Sequence, residues 1–145
     1  MNLSFTVLGT PAPQGSKTRT KWGMREDNPN TKPWKQAVAS EALDAMAGHD
    51  LFVGPVWLDV VFQFPRPKHH YRTGRNAHQL KDSAPHYCET KPDADKLARS
   101  IGDALTGIVF RDDSQIVRWT IVKQYGTPYA HIEVRAAPLP EGDTA

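Results

Sequence analysis

The chain has 145 residues, 39% of them hydrophobic, which fits a single globular domain with a modest core. Its 18 basic and 16 acidic residues leave a formal net charge of only +2, so affinity for an anionic partner has to come from a local basic cluster. The single cysteine, Cys88, excludes an internal disulfide and a CxxC metal site. The sequence shows neither a signal peptide nor an apolar run of membrane-spanning length, so we expect a soluble, cytoplasmic protein.

The first half of the chain predicts a strand, a loop, a helix and a second strand. Residues 3–8 alternate apolar and polar side chains, as in a half-buried strand. Residues 9–33 contain Pro, Gly and Asn throughout with little periodicity, so we expect a long loop there. Residues 33–47 have an alanine-rich helical face, and residues 55–64 predict a strand that is apolar on both faces. Such a strand is central in its sheet or is covered by a partner chain.

Two loops carry most of the clustered basic side chains. Residues 65–91 contain six Lys and Arg residues against only Asp82 and Glu89, interleaved with four histidines and two tyrosines. Lys and Arg contacts to phosphates give salt-dependent affinity that is largely independent of base sequence, so we interpret both loops as DNA contacts. The candidate DNA-binding residues are Lys17, Arg19, Lys21, Arg66, Lys68, Arg72, Arg75, Lys91 and Lys96. A merely solvated loop is the alternative, and a zinc site built on His86 and Cys88 matches no common ligand spacing.

The second half of the chain predicts a helix and two strands. Pro92 keeps the residue before it extended, and Asp93 is a good helix N-cap. An apolar stripe at helical spacing follows, formed by Leu97, Ile101, Leu105 and Ile108. Apolar and polar residues then alternate from Val117 to Val122, as in a strand. Residues 129–135 predict a last strand, which the turn at residues 124–128 would join to the preceding one as a hairpin.

The predicted fold is therefore α+β, in the order β-α-β-α-β-β. Two helices on one face of a small mixed sheet give the simplest packing. We expect one domain over residues 1–137 and a flexible tail over residues 138–145.

Acidic residues in this second half can converge on a cation. Asp93 and Asp95 would point about 200° apart inside one helix, so they converge only if Asp93 precedes the helix proper. One member of the Asp112–Asp113 pair can point back toward them, whereas Asp103 lies about 12 Å beyond Asp95 along the axis. Clustered carboxylates repel one another unless a cation sits among them, and Mg²⁺ prefers oxygen ligands. The alternative is a capped helix with a solvated acidic face.

Three short motifs lie in this region at fixed spacing. They read Lys91-Pro92-Asp93-Ala94-Asp95, Asp103-Ala104-Leu105-Thr106-Gly107 and Asp112-Asp113-Ser114-Gln115-Ile116, and Lys123 follows them. Together they resemble the RusA family of Holliday junction resolvases. The resemblance implies a homodimeric endonuclease that uses Mg²⁺, or Mn²⁺ as an alternative ion, to nick branched four-way DNA junctions in recombination and repair. It places the catalytic, metal-binding carboxylates on Asp93, Asp95 and Asp113, with Asp112 as the other candidate ligand.

Two positions depart from the family pattern. Lys96 stands where the family usually has Asn, and Arg99 stands where it usually has a catalytic Lys. Arg99 keeps the positive charge one helical turn after Asp95 and can clamp a phosphate, but a guanidinium does not donate a proton at neutral pH. We expect Arg99 to act as a catalytic charge and Lys96 to meet DNA or solvent. Pairing of Arg99 with Asp95 and Asp103 along the helix is its structural alternative.

The resulting hypothesis is a Mg²⁺-dependent endodeoxyribonuclease that resolves Holliday junctions by paired symmetric nicks. Three alternatives remain open from the sequence. The chain could bind junctions without cleaving them, act on flaps or plain duplex instead, or be a structural domain with an acidic face that binds no metal.

Overall fold

The computed structural model describes residues 1–15, 17–26, 28–140 and 142, and the side chains of all of these except 17, 18, 25 and 26. Its elements in chain order are β1 (Asn2–Leu8), β2 (Lys17–Thr20), β3 (Gly23–Glu26), α1 (Thr31–Met46), β4 (Val56–Phe64), α2 (Ala94–Leu105), β5 (Ile116–Tyr125) and β6 (Tyr129–Ala136). Among the described residues, no helix combines the length and the apolar character needed to cross a membrane.

Four strands form one mixed sheet in the order β1-β6-β4-β5. β4 pairs in parallel with β5, whereas the β4–β6 and β1–β6 pairs are antiparallel. The helices α1 and α2 contact each other, and they pack against β1 and β5 respectively. The predicted class, a single α+β domain with two helices and a mixed sheet, is confirmed.

The predicted β5–β6 hairpin is wrong. After Tyr125 the chain crosses the end of β4 and continues as β6 on the other side of that strand. The crossing turn is held by the strand end that it covers, since the Gly126 amide donates to the Phe64 carbonyl at 2.9 Å. The Gln63 side chain adds a second hydrogen bond, from Nε2 to the Thr127 carbonyl at 2.7 Å. Pro65 follows β4 directly and cannot extend the ladder there, which leaves room for the crossing.

β4 lies between β6 and β5 in the sheet, and only one of its two faces is fully buried. Its buried residues alternate along the strand and face the helices; they are Val56, Leu58, Val60, Phe62 and Phe64. Phe64 therefore belongs to the same face as Phe62, not to the opposite one. On the opposite face the Trp57 ring lies between two guanidinium groups, 4.1 Å from that of Arg118 and 4.7 Å from that of Arg135. A partner chain on this face stays a prediction.

The region predicted as one long loop, residues 9–33, contains a second, two-stranded sheet. β2 and β3 pair antiparallel from Lys17 with Glu26 to Thr20 with Gly23. The Thr20 hydroxyl closes the turn by donating to the Gly23 carbonyl at 2.8 Å and accepting from the Trp22 amide at 3.2 Å. Neither four-residue strand has the apolar alternation by which a strand is predicted, so this hairpin was missed.

Residues 65–91 form an arm that folds against the end of β5. Two antiparallel backbone hydrogen bonds attach it, from the Cys88 amide to the Lys123 carbonyl at 3.0 Å and from the Tyr125 amide to the His86 carbonyl at 3.1 Å. His70 is buried at its base, where its ring contacts that of Tyr125 edge-on with centroids 4.7 Å apart. The chain that leaves the arm leads directly to Asp93.

Candidate metal centre and DNA interface

The start of α2 presents carboxylates on its polar side. Asp93 is the N-cap residue, with an extended backbone (φ −69°, ψ 143°), and its side chain makes no capping hydrogen bond. The buried stripe that contains Leu97, Ile101 and Leu105 turns this side of the helix away from the core. Asp95 in the first turn is therefore exposed, where the helix dipole favours its negative charge.

A short 3₁₀ turn, Asp113–Gln115, brings back the second acidic pair. The Asp112 carboxylate accepts a hydrogen bond from the Ser114 amide at 2.9 Å and so caps this turn. The Gln115 side chain also stabilises the turn, because its Oε1 accepts hydrogen bonds from the backbone amides of Arg111 at 2.9 Å and Asp112 at 3.1 Å. Asp112 is thus engaged in the turn itself, and Asp113 is the member of the pair that faces α2.

The Gln115 amide nitrogen completes the attachment of the turn. Its Nε2 donates to the carbonyls of Phe52 at 3.0 Å and Gly54 at 2.9 Å. One side chain therefore joins the acidic turn to the segment that precedes β4, and it fixes where Asp113 lies relative to the sheet.

Asp95 and Asp113 line the same pocket, which has a volume of about 400 Å³. The other lining residues are Ala98, Arg99, Gly102, Ile116, Trp119 and Ile121. Gly102 forms the contact between α2 and the turn, because a Cβ placed on it would lie only 3.6 Å from the Asp113 Cβ and 3.7 Å from its Oδ2. Carboxylates from two elements thus share one pocket with an arginine.

The two neighbouring aspartates have opposite pKa shifts. Burial raises the pKa of Asp113, and the neighbouring Asp112 and the negative charge of Asp103 raise it further. The backbone hydrogen bond from Ser114 lowers the pKa of Asp112, so its capping carboxylate is held anionic. A cation beside Asp113 would relieve the cost of its ionised form.

Asp93 lines a different pocket, of about 370 Å³, together with Lys91, Lys96, Pro13, Gly15 and Asn28, so the structure does not bring it into the pocket of Asp95 and Asp113. Within the described part of the chain, no three His, Cys, Asp or Glu side chains are already grouped closely enough to hold a metal ion. Mg²⁺ is usually bound through one or two carboxylates plus waters and substrate phosphates, so the oxygen donors of Asp95 and Asp113 fit this ion.

Asp103 forms an ion pair with a residue that the sequence did not indicate. Lys35 on α1 places its Nζ 3.6 Å from the Asp103 carboxylate and donates to Gln14 Oε1 at 3.1 Å. The backbone amide of Gln14 in turn donates to the backbone carbonyl of Lys96 at 3.0 Å. Lys35 thus ties the segment before the hairpin to α2, a contact between distant positions for which the sequence has no local signal.

Comparison with known proteins identifies the family of this chain. Residues 6–136 match the family described as endodeoxyribonuclease RusA. The chain belongs to the RusA endodeoxyribonuclease family. It is also 33% identical over 141 residues to the uncharacterized protein YqaN of Bacillus subtilis (strain 168), an alignment that covers 92% of this chain and 95% of that protein.

The two departures from the RusA pattern, Lys96 and Arg99, line different pockets. Arg99 lines the pocket of Asp95 and Asp113, whereas Lys96 lines the pocket of Asp93. Ion pairs among the described residues are Lys35–Asp103, Arg72–Asp82 and His131–Glu133, so the alternative for Arg99, pairing with Asp95 and Asp103 along α2, is not formed. The Arg99 side chain is exposed at the pocket, where it can reach a phosphate.

Lys123, the last residue of the RusA-like pattern, supports the loop that leads to Asp93. Its Nζ donates to the Thr90 carbonyl at 2.7 Å. The Thr90 hydroxyl lies 3.4 Å from that of Tyr125, so two residues of β5 hold this loop three positions before Asp93. The sequence singled out Lys123 through the family motif, but it did not indicate this contact.

The predicted DNA-binding residues divide into two groups. Arg66 is turned inward, since its Nη1 donates to the Pro85 carbonyl at 2.7 Å and its guanidinium lies 5.3 Å from the Tyr125 ring centroid. The exposed ones are Arg19, Lys21, Lys68, Arg72, Arg75, Lys91 and Lys96, of which Arg72 also pairs with Asp82. The Lys17 side chain lies outside the described residues. The arm residue Arg66 therefore has a structural contact that its place in a basic loop did not reveal.

Proposed function

We propose that this RusA-family chain is a Mg²⁺-dependent endodeoxyribonuclease that resolves four-way DNA junctions. The observation that carries the proposal is the pocket that joins Asp95 and Arg99 of α2 with Asp113 of the 3₁₀ turn. Asp95 and Asp113 would hold the ion, and Asp93 on the adjoining pocket would complete the set when DNA is bound. A bound Mg²⁺ polarises a phosphate and lowers the pKa of a coordinated water.

The residues around this pocket have separate roles in the proposal. Arg99 offsets negative charge that develops on the phosphate in the transition state, by donation of two parallel hydrogen bonds. Lys91 and Lys96, exposed beside Asp93, hold the DNA backbone next to the carboxylates. Because guanidinium stays protonated, the leaving oxygen takes its proton from solvent water rather than from Arg99.

The exposed basic residues of the arm extend the DNA contact away from the pocket. Each phosphate that a Lys or Arg side chain neutralises releases counterions, so affinity is expected to fall steeply with salt. Two copies of the chain related by a two-fold axis would place two such pockets on opposed strands, which matches the symmetry of a junction.

The second candidate function is binding of junctions without cleavage. The departures at Lys96 and Arg99 favour it, since the family lysine could be a proton donor that arginine cannot replace. Arg99→Lys separates the two, because it would raise cleavage strongly if the lysine donates a proton and only modestly if it acts as a charge.

Cleavage of a synthetic four-way junction tests the proposal. The native chain in Mg²⁺ is compared with Asp95→Asn and Asp113→Asn, and Asp44→Asn on the exposed side of α1 is the matched control. We expect symmetric nicks from the native chain and the control, and a loss of about 100-fold or more from each pocket variant, the effect of losing a metal ligand. Junction binding without nicking in either Mg²⁺ or Mn²⁺ would support the second candidate, and equal cleavage of flaps and linear duplex would refute junction selectivity.

A further inference from the structure

The β2–β3 hairpin carries an aromatic residue where hairpins usually have small polar ones. Its two-residue turn is Lys21-Trp22, between the paired Thr20 and Gly23. Turns of this length favour Asn and Gly, which adopt the required backbone readily. Trp22 is 87% exposed, so its indole is not buried against the domain.

A cation lies beside this indole. The Lys21 ammonium lies 5.1 Å from the centre of the Trp22 ring, and Arg19 is exposed on the same hairpin. A large flat apolar ring next to cations is the combination that proteins use for unpaired nucleic acid, in which bases stack on aromatic rings and phosphates meet Lys and Arg.

The hairpin is connected to the chain beside the candidate metal centre. Gly15, just before β2, and Asn28, just after β3, line the same pocket as Asp93. Asn28 lies six positions after Trp22, so the chain limits the distance between their Cα atoms to about 21 Å. This reach corresponds to about six stacked base steps at 3.4 Å each along one DNA strand.

We propose that Trp22 stacks on a base exposed at the branch point of the DNA, while Arg19 and Lys21 contact the neighbouring phosphates. This inference rests on the proposed function, which it deepens by assigning a residue that distinguishes branched from plain duplex DNA. In a duplex every base is covered by its neighbours, whereas at a branch point the terminal pairs of the arms expose one face when the protein unstacks the arms. Trp22 would therefore add affinity for the junction and little for the duplex.

Binding measurements on junction and duplex of equal length test the inference. Fluorescence anisotropy in Ca²⁺ buffer would give dissociation constants for the native chain, Trp22→Ala and Trp22→Phe, with Leu43→Ala as the control for an exposed apolar residue on α1. We expect Trp22→Ala to weaken junction binding by about 5- to 150-fold, the range that loss of one base–aromatic stack gives. Trp22→Phe should stay within about threefold of the native chain because a phenyl ring also stacks.

A base analogue reports the contact itself. With 2-aminopurine at the branch point, we expect the native chain and Trp22→Phe to change its fluorescence, and Trp22→Ala to leave the emission as in free DNA. Unchanged junction affinity of Trp22→Ala, an equal loss on junction and duplex, or a Trp22→Phe variant as weak as Trp22→Ala would each overturn the inference. A native chain that fails to bind junctions would overturn the proposed function as well, and that result is seen before any variant is compared.

Discussion

Replacement of Gln115 should loosen the acidic turn and lower cleavage together. Its side chain makes four hydrogen bonds, two accepted from the amides of Arg111 and Asp112 and two donated to the carbonyls of Phe52 and Gly54. At about 0.5–1.5 kcal/mol each, and allowing for partial replacement by water, Gln115→Ala should lower the free energy of unfolding by about 2–4 kcal/mol. Because domains of this size are stable by about 5–15 kcal/mol, the variant should still fold at 25 °C.

The isosteric change Gln115→Glu tests the direction of these bonds. A carboxylate can still accept from the two amides, but its second oxygen would face the carbonyls of Phe52 and Gly54 without a proton to donate. We expect Gln115→Glu to be at least as destabilising as Gln115→Ala at neutral pH. The pKa of this new Glu would be raised in the folded state, so its penalty is present at neutral pH and is lost as pH falls through that raised value.

Urea denaturation and junction cleavage at 25 °C measure the two effects on the same samples. Gln36→Ala on the exposed side of α1 is the control, with no expected loss of either stability or activity. We expect both Gln115 variants to cleave at least tenfold more slowly than native chain while fully folded, because Asp113 is no longer held toward α2. The reasoning would be refuted if Gln115→Ala cleaved junctions at the native rate and lost less than about 0.5 kcal/mol of stability. Such a loss is below the net value of a single hydrogen bond.

Three further changes test other parts of the site. Asp113→Asn should raise the melting temperature in metal-free buffer at neutral pH, since the raised pKa of Asp113 means that its ionised form costs stability there; the gain should vanish as pH falls through that pKa. Gly102→Ala should stabilise the chain to urea by about 0.5–1 kcal/mol through helix propensity and leave junction cleavage close to native, because its methyl group would lie 3.6 Å from the Asp113 Cβ, an ordinary van der Waals distance. Burial, followed by the charge of His69, lowers the pKa of His70, so stability is full above about pH 6.5 and falls as pH drops below it. His70→Asn should flatten this part of the melting-temperature profile, and equal pH slopes for the native and His70→Asn chains would contradict that. A destabilised Gly102→Ala would contradict the second prediction, and a lower melting temperature for Asp113→Asn would contradict the first.

Elements with a strong burial period were predictable from the sequence. The stripe that contains Leu97 and Ile101 predicted α2, because burial on a defined face imposes a period on the residues. Apolar residues on both faces of residues 55–64 predicted a strand that is central or covered by a partner chain, and β4 is central. The β2–β3 hairpin lacks such a period and was not predicted. The wrong prediction of a β5–β6 hairpin has a different cause. A turn signal such as Gly126 marks a change of direction, but the choice of neighbouring strand is made by long-range packing around β4.

In the candidate site, too, some features were predictable from the sequence and others depend on long-range contacts. The spacing of the motifs pointed to Asp93, Asp95 and the Asp112–Asp113 pair; the structure brings Asp113 to the pocket of Asp95, whereas Asp93 lines a different pocket. The choice between the two aspartates depends on the four bonds of Gln115 and on the cap made by Asp112, which a spacing pattern does not contain. The inward turn of Arg66 likewise depends on Pro85 and Tyr125, residues distant in the sequence.

A Mn²⁺ titration followed by electron paramagnetic resonance tests the central claim most directly, because it counts bound ions without DNA. The variants are Asp95→Asn, Asp113→Asn and the double variant, with Asp44→Asn as the control. If the two carboxylates share one ion, each single change should weaken binding by at least tenfold and the double variant should lose little more, since the effects of residues that act on one ligand are not additive. Native binding in both single variants, or losses that add independently in the double variant, would contradict a shared metal centre.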